Sequence, residues 1–193
     1  YRRDADVIYP GVHINEYPIG EAQDYYLAAG RFTWYKRFDL VIQACSRMNR
    51  RLIVVGKGEE EKKLRAMAGE IVEFRGAVSD EELKELYSGA RAFIFPGEED
   101  FGITPVEAMS AGAPVLAFGR GGSAETVVEG KTGLFFDEQT VDSLCACIER
   151  FESDGVSLSR SEIREYSKRF CEERFCHELD AYCRRRWEEW GRI

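Results

Sequence analysis

Four carboxylates lie close together in one segment of the sequence, GEEDFGITPVEAMSAG: Glu98, Glu99, Asp100 and Glu107. The first three directly precede a Phe-Gly pair, and Glu107 lies in the first turn of the helix predicted to follow. Acidic side chains near a helix N-terminus can simply interact favourably with the helix dipole. Carboxylates also accept hydrogen bonds from hydroxyl groups. The segment therefore has two interpretations, a helix start or a site for a ligand with many hydroxyls.

A capping motif provides the structural interpretation of Glu107. The letters TPVE predict Thr104 as the N-cap, Pro105 as the first helical residue and Glu107 as the third. Such a cap contributes about 1 kcal/mol. The acids at 98–100 precede this cap by too many residues to belong to the first turn, so a ligand is the better explanation for them. The backbone N–H groups at 102–104 would suit sugar hydroxyls or phosphate.

Positive side chains flank the end of another predicted strand and the start of the helix after it. Arg31 follows Gly30 at the strand end, and Lys36 and Arg37 open the helix. Cations converging there would clamp a diphosphate, with arginine as a forked donor and lysine as a point charge. The alternative is that Lys36 and Arg37 are ordinary solvated helix residues, and this segment alone does not decide between the two.

A glycine-rich loop supports a rival hypothesis. Gly119, Gly121 and Ala124 have the spacing of a dinucleotide-binding loop, and Asp137 follows at a later strand end. This pattern suggests an NAD- or FAD-binding domain of an oxidoreductase. However, the strand–helix–strand unit is shorter than the ~30 residues expected, and it is the last such unit rather than the first. The helix after this loop is predicted to be capped by Ser123.

Short apolar runs alternate with helical patterns along most of the chain. The runs predicted as buried strands are 25–30, 51–56, 71–76, 91–97, 113–119 and 132–137. The segments predicted as helices are 36–48, 59–69, 79–90, 104–112 and 123–130, and only helices are predicted from Val141 onward. This alternation predicts a doubly wound, mostly parallel, Rossmann-like α/β fold with helices on both faces. Ligands bind beyond the carboxyl ends of such strands, where all the candidate residues lie.

Composition and charge exclude several classes of partner. The chain has 193 residues and is 44% hydrophobic, which is enough for one domain with a full core. Its net charge of -8 argues against a nucleic-acid partner. The chain opens with polar and charged residues, so no signal peptide is expected. Because the sequence does not begin with Met, we expect it to be the rear part of a longer protein.

The cysteines and histidines predict neither a metal site nor a disulfide framework. The six cysteines form no C-x-x-C pair, and the two histidines lie far apart in the sequence. Reduced thiols in a cytoplasmic protein are therefore expected.

Taken in order, several segments resemble the C-terminal, donor-binding half of a retaining glycosyltransferase of family four, which has the two-domain GT-B fold. The matching segments, which extend over about residues 7 to 150, are VIYPGVHINEY, GRFTWYKRFDLVIQA, VVGKGEEEKKLR, EDFGITPVE and GRGGSAETVVEGKTGLFF. Glu99 and Glu107 reproduce the family's Glu-x7-Glu pair, and the first segment resembles the strand that enters this half. One departure is Lys36-Arg37, where many members have Lys-Gly.

The resemblance implies a role for each matching residue. It implies that Glu99, Arg31 and Lys36 are the catalytic residues, with Glu99 against the donor sugar and the two cations on the diphosphate. It implies that Glu107 binds the ribose hydroxyls. The other implied donor-binding residues are Gly102, Ile103, Thr104, Val78, Gly121 and Gly122. No metal or other cofactor is implied.

The resemblance also implies the substrates. The segments look closest to bacterial mannosyltransferases of polysaccharide biosynthesis, which implies GDP-mannose as the donor, with a UDP-sugar as the alternative. The acceptor would be a saccharide or lipid-linked saccharide, bound by an N-terminal domain absent from this chain, so that this chain alone is expected to be inactive. The full-length protein would be cytoplasmic, at the inner membrane face. A third hypothesis is a non-catalytic sensor of nucleotide sugars.

Overall fold

A computed structural model describes residues 5–191 of the chain. Its six strands are β1 (Tyr26–Ala29), β2 (Leu52–Val55), β3 (Val72–Gly76), β4 (Ala92–Phe95), β5 (Val115–Phe118) and β6 (Gly133–Phe136). The α-helices are α1 (Phe38–Met48), α2 (Glu61–Met67), α3 (Asp80–Gly89), α4 (Ile103–Ser110), α5 (Ser123–Thr126), α6 (Val141–Asp154), α7 (Arg160–Ser167) and α8 (Glu172–Trp190). Short 3-10 helices occupy Ile14–Glu16, Trp34–Lys36 and Lys168–Phe170.

The strands form one parallel sheet in the order β3-β2-β1-β4-β5-β6. The chain first builds outward from β1 to β3 and then returns to add β4 on the other side of β1, where Tyr26 lies opposite Ala92 and Leu27 opposite Phe93. The carboxyl ends of β1 and β4 therefore flank the point at which the strand order reverses. This architecture confirms the predicted doubly wound α/β fold, and the switch point is where such sheets bind ligands.

Five of the six strands are apolar on both faces and almost entirely buried, whereas the edge strand β3, which contains Glu73 and Arg75, is only partly buried, contrary to the prediction of a buried strand. Alternate residues enter two separate cores. Ala28, Val54 and Ile94 pack with α1 and α6 on one face. Leu27 and Phe93 pack with α3 and α4 on the other. Continuous runs of buried apolar residues are what a sheet covered on both sides requires.

The segment predicted to enter the domain as a strand does not join the sheet, so that prediction is wrong. Over 7–17 the structure has only the 3-10 helix Ile14–Glu16 and an isolated bridge between Val12 and Cys171. Val12 donates its N–H to Phe170 O at 2.9 Å, which ties this segment to the C-terminal helices instead. Within residues 5–191, no helix combines the length and the apolar character needed to cross a membrane.

Candidate functional site

Three loops meet at the carboxyl ends of the central strands: 30–37 after β1, 96–102 after β4 and 119–122 after β5. They bring two of the predicted catalytic residues together, since Lys36 Nζ lies 2.9 Å from Glu99 Oε1. Both side chains are largely buried, with exposed fractions of 17% for Lys36 and 24% for Glu99. The pair therefore links the loop after β1 to the loop after β4.

The geometry of this pair leaves hydrogen-bonding capacity unused. Glu99 Oε1 is buried, and its approach to Lys36 Nζ has the distance of an ion pair without the angles of a hydrogen bond. An ammonium group has three N–H donors, and a carboxylate oxygen accepts more than one hydrogen bond. Lys36 therefore retains N–H donors while it is paired with Glu99.

The loop around Lys36 has its shape because of one left-handed residue. The 3-10 helix Trp34–Lys36 ends at Arg37, which has φ 52 and donates its N–H to Trp34 O. This turn delays the start of α1 to Phe38, two residues later than predicted. Lys36 consequently lies on a tight turn facing the strand ends, rather than on the solvated side of a helix. Lys36 is therefore not an ordinary solvated helix residue, and its role toward a ligand remains a prediction.

The two glycines after β5 pack against the loop 96–102, which carries Glu98, Glu99 and Asp100 and is called the acidic loop below. Gly122 donates its N–H to Glu99 O at 2.7 Å. A Cβ on Gly122 would lie 2.2 Å from Phe101 Cα, and one on Gly121, which has φ +67, would lie 2.5 Å from Glu99 O. Both positions therefore need glycine because another backbone approaches so closely. In this structure the observed contact of these glycines is with the loop that carries Glu99, and their donor-binding role remains a prediction.

The same contacts argue against the dinucleotide-binding alternative. The backbone of Glu99 and Phe101 lies where a Cβ on Gly121 or Gly122 would be, so packing between two loops explains both glycines without a dinucleotide. The helix that follows, α5, is a single turn of four residues. A helix this short provides little of the dipole on which dinucleotide loops rely. The oxidoreductase hypothesis is therefore not supported.

Two predicted capping motifs are wrong in this region. Helix α4 begins at Ile103, its N-cap is Gly102 with φ 80, and no side chain caps it, so Thr104 is a helical residue and Glu107 takes no part in a capping box. Gly102 can adopt a left-handed conformation that starts the helix two residues earlier than a Thr104 cap would. Ser123 is not a cap either, because its buried hydroxyl donates to Phe118 O and Arg120 O.

The N-terminus of α4 opens into a polar cleft of ≈ 580 Å³. Gly102, Ile103 and Thr104 line this cleft together with Lys36 and Glu99. The first N–H groups of a helix have no partner within the helix, and the dipole makes this end positive. The cleft therefore combines a helix N-terminus, an ammonium group and a carboxylate, which suits an anion attached to a polyhydroxyl group.

Glu107 lies one turn further along α4 and is held by tyrosines. The hydroxyl of Tyr87, which is fully buried, donates to Glu107 Oε2 at 3.1 Å. Burial raises the pKa of Glu107, and the hydroxyls of Tyr87 and Tyr17 lower the pKa in part. Glu107 and Ile103 border a second cleft of ≈ 300 Å³. Because Ile103 lines both clefts, they lie side by side across the start of α4.

Two predicted site residues do not join this group. Arg31 is exposed, and its side chain makes no ion pair with any residue in the described part of the chain. Val78 packs against the core beside α3. Neither residue borders the clefts that hold Lys36, Glu99 and Glu107.

Sequence reasoning missed Tyr87 and an aromatic pair, Trp34 and Tyr35. Tyr87 has the position of an ordinary core residue of α3, so no feature of the sequence indicates its hydroxyl contact with α4. Trp34 and Tyr35 border a third cleft, of ≈ 850 Å³, which adjoins Glu99. Among residues 5–191, no three His, Cys, Asp or Glu side chains are placed to hold a metal ion.

Fold and site together define a doubly wound α/β domain with a polar, ligand-sized site at its topological switch point. The family of glycosyl transferases group 1 matches residues 12–170 of the sequence, and the chain belongs to that family.

Two curated relatives show how far the similarity extends. An uncharacterized glycosyltransferase of Methanocaldococcus jannaschii is 31% identical over 138 residues, which cover 66% of this chain and 35% of the relative. A GDP-mannose-dependent alpha-(1-6)-phosphatidylinositol monomannoside mannosyltransferase of Mycobacterium tuberculosis is 33% identical over 128 residues, which cover 57% of this chain and 33% of the relative. The chain thus spans well under half the length of these relatives.

Solved structures share the fold at low sequence identity. Sucrose-phosphate synthase from Thermosynechococcus elongatus matches with a TM-score of 0.81 at 24% identity, and the matched region covers 94% of this chain and 52% of the synthase chain. The Anabaena protein HepE, in complex with UDP and glucose, matches with a TM-score of 0.74 at 20% identity, and the matched region covers 92% of this chain and 56% of the HepE chain. Both therefore agree with the doubly wound architecture.

Proposed function

We propose that this chain is the nucleotide-sugar-binding part of a retaining glycosyltransferase. The observation that carries the proposal is the Lys36–Glu99 pair, 2.9 Å apart, beside the open N-terminus of α4. A nucleotide sugar presents a diphosphate next to a polyhydroxyl ring, and this pair presents a cation next to a carboxylate. Family membership over residues 12–170 supports the same substrate class.

In this proposal the diphosphate lies against Lys36 and the α4 N-terminus. When the sugar is transferred, the bond between the anomeric carbon and the diphosphate oxygen breaks, and negative charge develops on the leaving diphosphate. A fixed ammonium group and fixed backbone dipoles stabilise such charge without reorganising. Arg31, exposed at the end of β1, would add a second cation once a ligand is bound. This charge belongs to the chain itself, so the proposal requires no metal or other cofactor.

The two glutamates would bind the two polyhydroxyl parts of the donor. Glu99, next to Lys36, would accept hydrogen bonds from hydroxyls of the transferred sugar. Glu107, in the adjacent cleft, would accept them from the ribose, with its orientation fixed by Tyr87. Val78, at the start of α3, would border the base.

GDP-mannose is the donor we propose, with a UDP-sugar as the alternative. The GDP-mannose-dependent relative of Mycobacterium tuberculosis supports the first, and the HepE structure, which contains UDP and glucose, supports the second. The acceptor would be a saccharide or lipid-linked saccharide bound by an N-terminal domain outside this chain. Such an acceptor would place the complete protein in the cytoplasm at the inner membrane face.

A thermal-shift titration with GDP, UDP, GDP-mannose, UDP-glucose and NAD tests the proposal. A ligand that binds only the folded state raises its stability by RT ln(1 + [L]/Kd), so millimolar concentrations reveal weak binding. We expect GDP and GDP-mannose to raise the unfolding temperature of the chain, and Lys36→Ala to abolish most of that rise. Lys131→Ala, at an exposed site at the opposite end of the strands, is the matched control. A shift with NAD alone would refute the proposal. A preference for UDP would indicate a UDP-sugar, rather than GDP-mannose, as the donor.

A further inference from the structure

The third cleft contains an exposed aromatic pair. Trp34 is 71% exposed and Tyr35 is 42% exposed. Their rings meet edge to face, with centroids 5.9 Å apart and an interplanar angle of 84°. Large aromatic side chains dominate the energetics of binding surfaces, and the open face of an indole ring suits an apolar partner that is flat on one side.

The same cleft is strongly acidic. It is lined by six carboxylates and two cations. Each cation is already paired with a neighbouring acid: Arg37 Nε lies 3.1 Å from Asp39, and Lys63 Nζ lies 2.6 Å from Glu60. Of the other four carboxylates, Glu99 is paired with Lys36 and Glu125 accepts a hydrogen bond from the hydroxyl of Tyr9. Glu98 and Asp100 make no ion pair with another of the described residues. The potential in the cleft is therefore negative.

Aromatic rings beside an excess of carboxylates favour one type of occupant. The cores of protein–protein interfaces are depleted of Asp and Glu, so a protein surface is a poor match for this cleft. An anion is a poor match because like charges repel. A sugar ring has C–H groups on one face that can cover an indole, and hydroxyls at its rim that donate to carboxylates. A neutral saccharide satisfies both features.

The position of the cleft shows which saccharide this would be. Tyr35, Glu98, Glu99 and Asp100 line both this cleft and the one at the α4 N-terminus. A sugar stacked on Trp34 would therefore lie across the acidic loop from a donor sugar held beside Lys36. This step rests on the proposed function, because it takes the neighbouring cleft as the donor site.

We propose that the third cleft adds one subsite to the acceptor site that the N-terminal domain would otherwise form, that Trp34 is its stacking platform, and that its carboxylates select a neutral sugar over an anionic one. Trp34 is thereby a specificity-determining residue for a part of the substrate that the α4 cleft does not contact.

Titration of the chain with mannobiose, as a neutral probe, and with glucuronic acid, as an anionic probe, tests this inference by saturation-transfer NMR. We expect mannobiose to bind, Trp34→Ala to weaken that binding by at least tenfold, and Trp187→Ala to leave it unchanged. Trp187 is a matched control, since it is also 71% exposed but lies on α8. Glucuronic acid should bind measurably only after Glu98→Gln and Asp100→Asn are combined.

Three results would overturn the subsite: no mannobiose binding to the wild-type chain, equal losses in both tryptophan variants, or equal binding of the two probes. GDP and UDP binding to the same variants separates this inference from the proposed function. Nucleotide binding without mannobiose binding refutes only the subsite, whereas mannobiose binding without nucleotide binding refutes the donor site. Loss of nucleotide binding in Trp34→Ala would assign Trp34 to the donor cleft and also overturn the inference.

Discussion

Gly122→Ala is predicted to damage the site by displacing the loop that carries Glu99. The new Cβ would lie 2.2 Å from Phe101 Cα and 2.4 Å from Phe101 O. Ordinary van der Waals contact begins at 3.4 Å, so the acidic loop has to move by about 1.2 Å. The obstructing atoms are backbone atoms, which cannot rotate out of the way.

Two effects follow from that movement. Overpacking of this kind destabilises folded proteins by about 1–3 kcal/mol, and we expect the free energy of unfolding to fall by this amount. The shift also moves Glu99 relative to Lys36, from which it is now separated by 2.9 Å. Because Lys36 is paired with Glu99, the movement also shifts the ammonium group that we propose for the diphosphate, and misplacement of a functional group by about 1 Å can cost about 100-fold in rate. We therefore expect GDP affinity to fall by at least tenfold in a variant that still folds.

Gly130→Ala is the control for Gly122→Ala, because it introduces backbone strain without a steric clash. Gly130 has φ +70 with no atom within 4 Å of a built Cβ, so alanine there is strained but has room. It should lose about 1 kcal/mol of stability without loss of GDP affinity. Urea unfolding and calorimetric titration measure both quantities. A folded Gly122→Ala chain with GDP affinity within twofold of wild type would refute the claim that this glycine positions the acidic loop.

Three other variants test the remaining contacts. Lys36→Ala should weaken GDP at least tenfold but leave guanosine unchanged, and equal losses of both ligands in calorimetry would exclude a diphosphate role. Because burial raises the pKa of Glu107 above its ordinary value, the charged form opposes folding, so Glu107→Gln should be more stable than wild type at pH 7. The gain should shrink as the pH falls from the raised pKa to the ordinary pKa of a glutamate and be absent below it, as measured by urea unfolding. A gain that persisted at low pH would contradict this assignment. Arg160 donates to the carbonyls of Ser88, Ala90 and Ala111, so Arg160→Ala should lower the unfolding free energy by about 3 kcal/mol; a loss below 1 kcal/mol would show that water replaces these bonds.

The strands were predictable because a sheet covered on both faces requires runs of apolar residues. Each of the six predicted runs contains an observed strand, and consecutive Leu, Ile, Val and Phe residues mark the buried ones, whereas the edge strand β3 alternates apolar and charged residues. The family resemblance implied that Lys36 and Glu99 belong to one site but not that they pair with each other; the order of the strands brings the pair about.

Other features depend on contacts that local sequence does not record. The wrong cap at Thr104 arose because Gly102 adopts a left-handed conformation, which glycine permits but does not demand. The partner of Glu107 comes from α3 and could be found only once α3 and α4 were packed together. The close approach of Gly122 to Phe101 was equally hidden, because a glycine pair looks the same in the sequence whether it faces a phosphate or another loop.

The switch point between β1 and β4 has a consequence for folding. Lys36 follows β1 and Glu99 follows β4, so the two side chains meet only after these distant strands have paired. Closing such a long loop is slow in parallel sheets, and β1–β4 pairing is the step that joins the two halves of the sheet. Ligand binding is therefore a reporter of completed folding. A molecule that bridges the two loops should slow the hydrogen exchange of β1 and β4 amides together, and it should protect both halves of the sheet as one cooperative unit.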